Sequence, residues 1–594
     1  MSVETGDRVT RKYKGFRGVD FRGEECSLNR SPDCLNVWRN YKNLASIETR
    51  PTLAHINTYP KGVSAMKWHD GKLYFLSKDG YLHAICEDGT LDFEIQYVGN
   101  QAILFEFGGD LYAKGTEHYC NVTKGKDVYP YIPTTSIGRK PSGGGKIHED
   151  VNMLSDYRIN TFLADGKSTS FHLDADLIDD DYVPYVEVNG EPIENAYMPA
   201  INPVTYYVVD YKKGIVTFIT RHPSYTLDGS ITAAPPTPLT DGQDNVLIKF
   251  KKSVKGYRDK ILKCTIAQEF DNRVFLSGNP DYPSTIWHCS LSDPSYFSDL
   301  DYYVDGSDQK PIRSIAAGNN GFWVFRDAVE NGVFYHMPGF DDEYGKIYPS
   351  SHSSIALGCV GRAVNFNDDI VFFSQRGMEG ASTDVTTEQF ATHRSSLIDR
   401  KLLAHPKYKD MILSEWEGYL LVFMGNDVYL ADSRAVLTNE NHVEYEWYHW
   451  SFGKYNVSSA VVNNGVLYIG TDEGHIYSLT RNAKDGDELL SDTFSPIESY
   501  WTTPKDTFGA PNKLKTTNKK GCIVEALGDI AVSVKTNHDD TYELIASNEG
   551  IDDCFVSRIK RKKFKDLQLK FASKTSFSLE AVTIEAFIGS YIKR

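Results

Sequence analysis

Asp271-Asn272-Arg273-Val274-Phe275-Leu276-Ser277-Gly278 is the stretch whose reading decides the fold. Two residues that tolerate positive φ are followed by aromatic and β-branched side chains, the pattern of a tight hairpin turn feeding a strand. The pattern returns downstream. Asn320-Gly321 precedes Phe322-Trp323-Val324-Phe325, and Asp368-Asp369 precedes Ile370-Val371-Phe372-Phe373. Glu417-Gly418 precedes Tyr419-Leu420-Leu421-Val422-Phe423, and Asn464-Gly465 precedes Val466-Leu467-Tyr468-Ile469. With the second turn residue as marker, the intervals are 49, 48, 49 and 47. A constant period of this length built from short strands predicts a β-propeller, one four-stranded blade per repeat.

Working outward, the pattern also lies upstream, at Asp70-Gly71 before Leu73-Tyr74-Phe75-Leu76 and at Gly109-Asp110 before Leu111-Tyr112-Ala113. The interval from 71 to 110 is 39 and the next, to 272, is 162. That surplus over one repeat is the size of a domain, not of a loop. The count is therefore two blades, an insertion and five blades. Seven is a common closure number, with six and eight open. Within 150–255, alternating segments such as Tyr185-Val-Glu-Val188 and Gly214-Ile-Val-Thr-Phe218 predict a small β-sandwich. The Gly-, Pro- and Lys-rich loop at 138–146 and Pro235-Pro236 bound it. Strands expected at 521–536, 542–547, 564–572 and 577–588 predict a second sandwich at the end. The whole is all-β. Residues 1–60 form an extended arm anchored by Leu35, Val37 and Trp38, 61–149 the first propeller part and 150–255 the inserted sandwich. Residues 256–484 form the second propeller part and 485–594 the C-terminal sandwich.

Composition narrows the function classes. The 594 residues carry a formal net charge of −16, so the chain as a whole is not built to hold nucleic acid by charge. The nine Cys are dispersed without a C-x-x-C pair and read as reduced, mostly buried small hydrophobes of a protein made in the cytosol. Met1-Ser-Val-Glu-Thr-Gly-Asp-Arg8 has no apolar core of a signal peptide. No apolar run approaches the roughly 18 residues that a membrane helix needs.

Four stretches invite a chemical reading. Gly143-Gly144-Gly145-Lys146 lacks the upstream Gly and the following Ser or Thr of a phosphate-binding loop, since Lys140 and Ile147 stand there. Asp174, Asp176, Asp179, Asp180 and Asp181 lack the Gly and distal Glu of a calcium loop and read as a solvated turn. Trp447-Tyr448-His449-Trp450 suggests a sugar or base platform, but a blade strand packed between neighbours explains it better. No H-E-x-x-H or G-x-S-x-G occurs, so no catalytic, cofactor-binding or metal-binding residue is expected and the protein reads as a non-enzyme. The one strong basic run is Arg558, Lys560, Arg561, Lys562, Lys563 and Lys565. It reads equally as a contact with an acidic face of a neighbouring subunit or with passing nucleic acid, and as an exposed loop and strand edge guarded by Lys against aggregation.

Several motifs together resemble the head-to-tail stabilisation proteins of tailed bacteriophages. They are Gly18-Val-Asp-Phe21, Arg30-Ser-Pro-Asp33 with Asn36, Glu48-Thr-Arg-Pro51, and Phe270-Asp-Asn-Arg-Val-Phe275 through Trp287 and Asp293-Pro-Ser-Tyr-Phe297. Near the end come Tyr500-Trp-Thr-Thr503, Lys562-Lys-Phe-Lys565 and Leu567-Gln-Leu-Lys-Phe571. The resemblance implies a propeller-bearing tail hub or nozzle, a ring commonly of six copies around the DNA exit channel. Such a ring helps to retain and then release packaged DNA. It implies other tail or portal-adaptor proteins as partners, transient passage of genomic DNA, no membrane, and no catalytic residues. The location would be the virion tail, after synthesis in the host bacterial cytoplasm. Carboxylates lining such a pore would repel phosphate and let DNA slide. Two other readings stand beside this one: a glycan-binding or glycan-degrading propeller displayed on the virion, and a host propeller scaffold.

Overall fold

The computed structural model describes residues 7–40, 45–86, 90–195, 206–220, 232–236, 244–307, 309–318, 321–342, 345–383, 389–439, 442–480, 486–490, 493–537, 539–559 and 561–591. The turns behave as their chemistry demands. Asp70-Gly71, Asp271-Asn272, Glu417-Gly418 and Asn464-Gly465 all have positive φ at both positions, as two-residue turns matched to strand twist require. Two turns sit one residue earlier than their sequence markers. Asn367-Asp368 and Gly108-Gly109 carry the positive φ, and Asp369 and Asp110 already begin strands. The turn residue Asn320 lies outside the described residues.

The chain divides into two compact units, residues 1–100 with 312–594 and residues 101–311. Among the described residues the two contain seven four-stranded antiparallel sheets, the blades of a β-propeller. In the first unit, blades run over 63–97, 312–352, 363–393 and 412–451, and the last joins Val457–Asn463, Val466–Thr471 and His475–Thr480 to a strand from the N-terminal region. In the second unit, blades run over 103–127 and 266–304. In the blade at 412–451 the second strand, Tyr419–Met424, is apolar throughout and buried on both faces.

Residues 1–60 are not a separate extended arm. Strand β1 (Asp7–Lys14) pairs along its whole length with Phe577–Tyr591 of the C-terminal sheet. Strands β2 (Cys34–Leu35), β3 (Val37–Trp38) and β4 (Ile47–Thr49) belong to that same sheet. Strand β5 (Thr52–Thr58) then leaves it and closes the last blade against His475–Thr480. The physical reason is satisfaction of edges: a blade short of one strand and a sheet short of four would each expose unpaired backbone. The expected anchor is real but deeper than an arm needs. Trp38 is buried, stacked on Trp416 at 5.2 Å and edge-on to Trp450 at 5.7 Å. At the crossing, Arg50 donates to both oxygens of Asp487, at 2.9 and 2.5 Å, inside the protein. The C-terminal sandwich therefore contains the N-terminal strands, organised on one long strand, Lys513–Thr536, that bends at register shifts.

The inserted domain also differs in extent. Its nine-stranded sheet begins at Thr134–Arg139, inside the stretch expected to be the first propeller part, and ends at Asp244–Lys251. Phe162, Val186, Ile248 and Phe250 from one half face Phe171, Val216 and Phe218 from the other across a buried core. Between its second and third strands the chain returns to the propeller. Met153 and Leu154 are buried with Trp287 and Phe297 of the blade at 266–304. The boundary at 150 thus cuts through a packed segment.

Candidate functional site

The basic run lies where two short strands, Cys554–Ser557 and Lys562–Phe564, pair with Lys513–Thr536. Ile559 and Phe564 point inward and are buried, which forces their neighbours outward. Arg558, Lys563 and Lys565 are exposed. Arg561 is different: its guanidinium pairs with Glu543 of the same chain, and its backbone N–H donates to Thr517 Oγ1 at 2.8 Å. Lys560, and the side chain of Lys562, lie outside the described residues. The turn is pinned from beneath. Lys515 is buried and donates from Nζ to the carbonyls of Ala510, at 2.5 Å, and Lys565, at 2.7 Å. Burial lowers its pKa from the ordinary lysine value. Three described cations of the run, Arg558, Lys563 and Lys565, therefore face solvent, where they can meet carboxylates or phosphates.

A second cluster carried no motif in the sequence. Glu379, His393 and Asp399 come from two strands and a short helical turn of the blade at 363–393 and its following connection. His393 donates from Nδ1 to Glu379 Oε1 at 3.0 Å and from Nε2 to Asp399 Oδ2 at 2.6 Å. Ser395 Oγ donates to the other Asp399 oxygen at 2.6 Å and accepts from the Met378 N–H at 2.8 Å. Burial alone would push this histidine down, but the two carboxylates outweigh it and hold the ring charged, with its pKa raised to about 9. A Ser, a His and an Asp are thus adjacent, yet neither ring nitrogen is free to take the serine proton. The arrangement works as a charged clamp and not as a proton shuttle.

The other sequence features resolve as structure. Trp447, Tyr448 and Trp450 are fully buried in the strand His442–Ser451, so they offer no platform to a sugar or base. Gly143-Gly144-Gly145 makes a turn between two strands of the inserted sheet. Six of the nine Cys are buried, and Cys554 is exposed. A cavity of about 330 Å³ lies where the N-terminal strands meet the C-terminal sheet, lined by Trp38, Arg50, Ile497, Leu527 and Phe577 among others. Among the described residues, no group of three or more His, Cys, Asp or Glu is placed to hold a metal ion, and no helix is long and apolar enough to cross a membrane.

The class that this architecture defines is an all-β propeller protein with an inserted and a C-terminal β-sandwich. No protein-family model matches the chain, and no curated protein sequence matches it. Among solved structures, it is similar to a computationally designed protein, Ika8, at 9% identity with a TM-score of 0.32, over 72% of this chain and 99% of that one. It is similar to a catalytically inactive virginiamycin B lyase from Staphylococcus aureus at 11% identity and a TM-score of 0.34, over 72% and 98%. It is also similar to BamB from Moraxella catarrhalis at 10% identity and a TM-score of 0.31, over 72% and 99%. At these scores the likenesses carry nothing about function.

Proposed function

We propose that this chain is a structural virion protein of a tailed bacteriophage. It closes as a homo-oligomeric ring of six copies, a tail hub or nozzle, around the DNA exit channel, and helps to retain and then release the packaged genome. It has no enzymatic role in this reading and joins other tail or portal-adaptor proteins. One observation carries the proposal. Motifs from both ends of the chain on which the resemblance rests converge in a single interlock between blades and C-terminal sheet. Val19 N–H donates to the Trp447 carbonyl at 2.8 Å, and Phe21 N–H to Leu397 at 2.8 Å. Ser31 Oγ donates to the Thr502 carbonyl at 2.7 Å. Asn36 joins Arg50 at 3.0 Å, Ser451 at 2.8 Å and Glu498 at 2.9 Å. Residues that would be unrelated surface positions in a chance likeness instead build one rigid joint, which suits a part that bears load around a channel.

The test is charge reversal of the basic run. Lys560, Arg561, Lys562 and Lys563 changed together to Glu should leave the monomer folded and abolish assembly. Rings of unchanged stoichiometry from that variant would show that the run is only a solvated edge. The glycan reading is separated by assay: turnover of bacterial polysaccharides that a single carboxylate substitution abolishes would replace the structural role with an enzymatic one.

A further inference from the structure

We propose that the seam closing the last blade contains a pH-sensitive latch. His55 and His475, set on its two strands and joined through the Thr58 hydroxyl, loosen the seam locally when both rings take up a proton. The latch belongs to the single chain and does not depend on the ring.

The seam joins β5 to His475–Thr480, with Thr480 opposite Thr52, Tyr477 opposite His55 and His475 opposite Thr58. Its two ends are fastened. At one, Asp487 accepts from the Leu53 N–H at 2.9 Å and from the Arg50 guanidinium. At the other, the Tyr59 N–H donates to the Gly474 carbonyl at 2.8 Å. Between these points the ladder is interrupted: the register shifts between Ile476 and Tyr477, which makes Ile56 the extra residue of β5. A bulge of this kind disrupts pairing locally. The histidines sit around it. His55 Nε2 lies 2.8 Å from Thr58 Oγ1, and His475 Nδ1 lies 2.9 Å from the same oxygen. The two ring centroids are 6.1 Å apart.

A hydroxyl has one proton to give and two lone pairs to receive with. With both rings neutral, Thr58 donates to one ring nitrogen and accepts from the other, and all three groups are matched. With both rings charged, each nitrogen is a donor, so the Thr58 proton loses its acceptor and two like charges face each other across the bulge. The surroundings do not offset this. Burial is the largest influence on each ring and disfavours its charged form, and on His475 the charge of His55 adds to it. Glu488, on the strand Asp487–Leu490, and a backbone hydrogen bond at Asn57 draw His55 the other way. For His475, Glu473 favours the charge and Lys454 opposes it. The uncharged neighbours are Tyr455 and Tyr477, whose rings lie 5.0 and 5.9 Å from that of His475. The balance holds both histidines below the ordinary value of 6.5. The sign follows from that. The seam has its full strength above about pH 6.5 and loses it as the pH falls through the folded values. His393 responds in the opposite sense, so acid loosens this seam while the clamp at 379–399 stays charged.

The experiment is amide hydrogen exchange on the full chain, corrected for intrinsic rates, from about pH 8 to about pH 5. Peptides covering 54–58 and 475–478 should lose at least about tenfold in protection over that interval, while those covering Tyr419–Met424 keep theirs. The loss should be steepest in wild type, shallower in His55→Gln and in His475→Gln, and absent from the double variant. If the double variant does not fold, the single variants carry the test, since each keeps one ring and removes the repulsion. Protection at 54–58 and 475–478 that does not change with pH would overturn the latch. So would a loss shared by every blade, or one equally steep in wild type and in both single variants.

Discussion

At the scale of the residue, the charged clamp at His393 ties stability to pH. Its folded pKa, about 9, lies above the ordinary value of 6.5. The stabilisation is therefore complete below about pH 6.5 and is lost as the pH rises through about 9. A shift of this size corresponds to about 3 kcal/mol, to order of magnitude. We expect His393→Gln to melt below wild type at pH 6 and the gap to shrink by pH 10; a gap independent of pH would show that the ring is not charged. Gly18 makes a second, sharper case. Its φ is +77°, and a Cβ there would stand 2.2 Å from the Trp447 carbonyl oxygen. Gly18→Ala should lower stability by about 1–3 kcal/mol from backbone strain alone, with the clash in addition, as read by denaturant midpoint. A midpoint within error of wild type would mean that the interlock is loose. Turn chemistry was the most legible part of the chain at this scale, because Asp271, Asn272 and Asn464 announce positive φ by residue type alone. His393 was not legible: nothing in a histidine's neighbours along the chain says that Glu379 and Asp399 will close on both nitrogens.

At the scale of the element, β5 is the strand on which closure of the last blade depends. Removing residues 1–58 should leave His475–Thr480 as a bare edge and open the C-terminal sheet as well. The expected result is aggregation or loss of the cooperative transition; a soluble truncated protein with the wild-type melting temperature would return these residues to the status of a dispensable arm. Deleting 150–255 should likewise lower stability, because the cut removes Met153 and Leu154 from a blade core and strips Thr134–Arg139 of its partner strand. Retention of the wild-type melting curve would show that this packing contributes little. The blades were readable since each is a local run of hairpins. The interlock was not, since β2 and β4 are two and three residues long and pair with strands hundreds of positions away. The inserted domain was readable in its middle and misplaced at its start, because its first strand, Thr134–Arg139, begins before the Gly- and Lys-rich stretch that reads as its boundary.

At the scale of the whole molecule, seven blades, an inserted sandwich and a C-terminal sheet threaded by the N-terminal strands make a scaffold on a chain of net charge −16. Arg558, Lys563 and Lys565 are exposed cations close in sequence to the exposed Val556. This is the combination from which subunit contacts are built. The most direct measurement of the proposed ring is native mass spectrometry of the purified full chain across a range of concentrations and salt. The expected result is one closed species at six times the chain mass that falls apart as salt rises and the basic run is screened. A single-chain mass under every condition, matched by isolated monomers in intact virions, would contradict the ring and with it the function proposed for this protein.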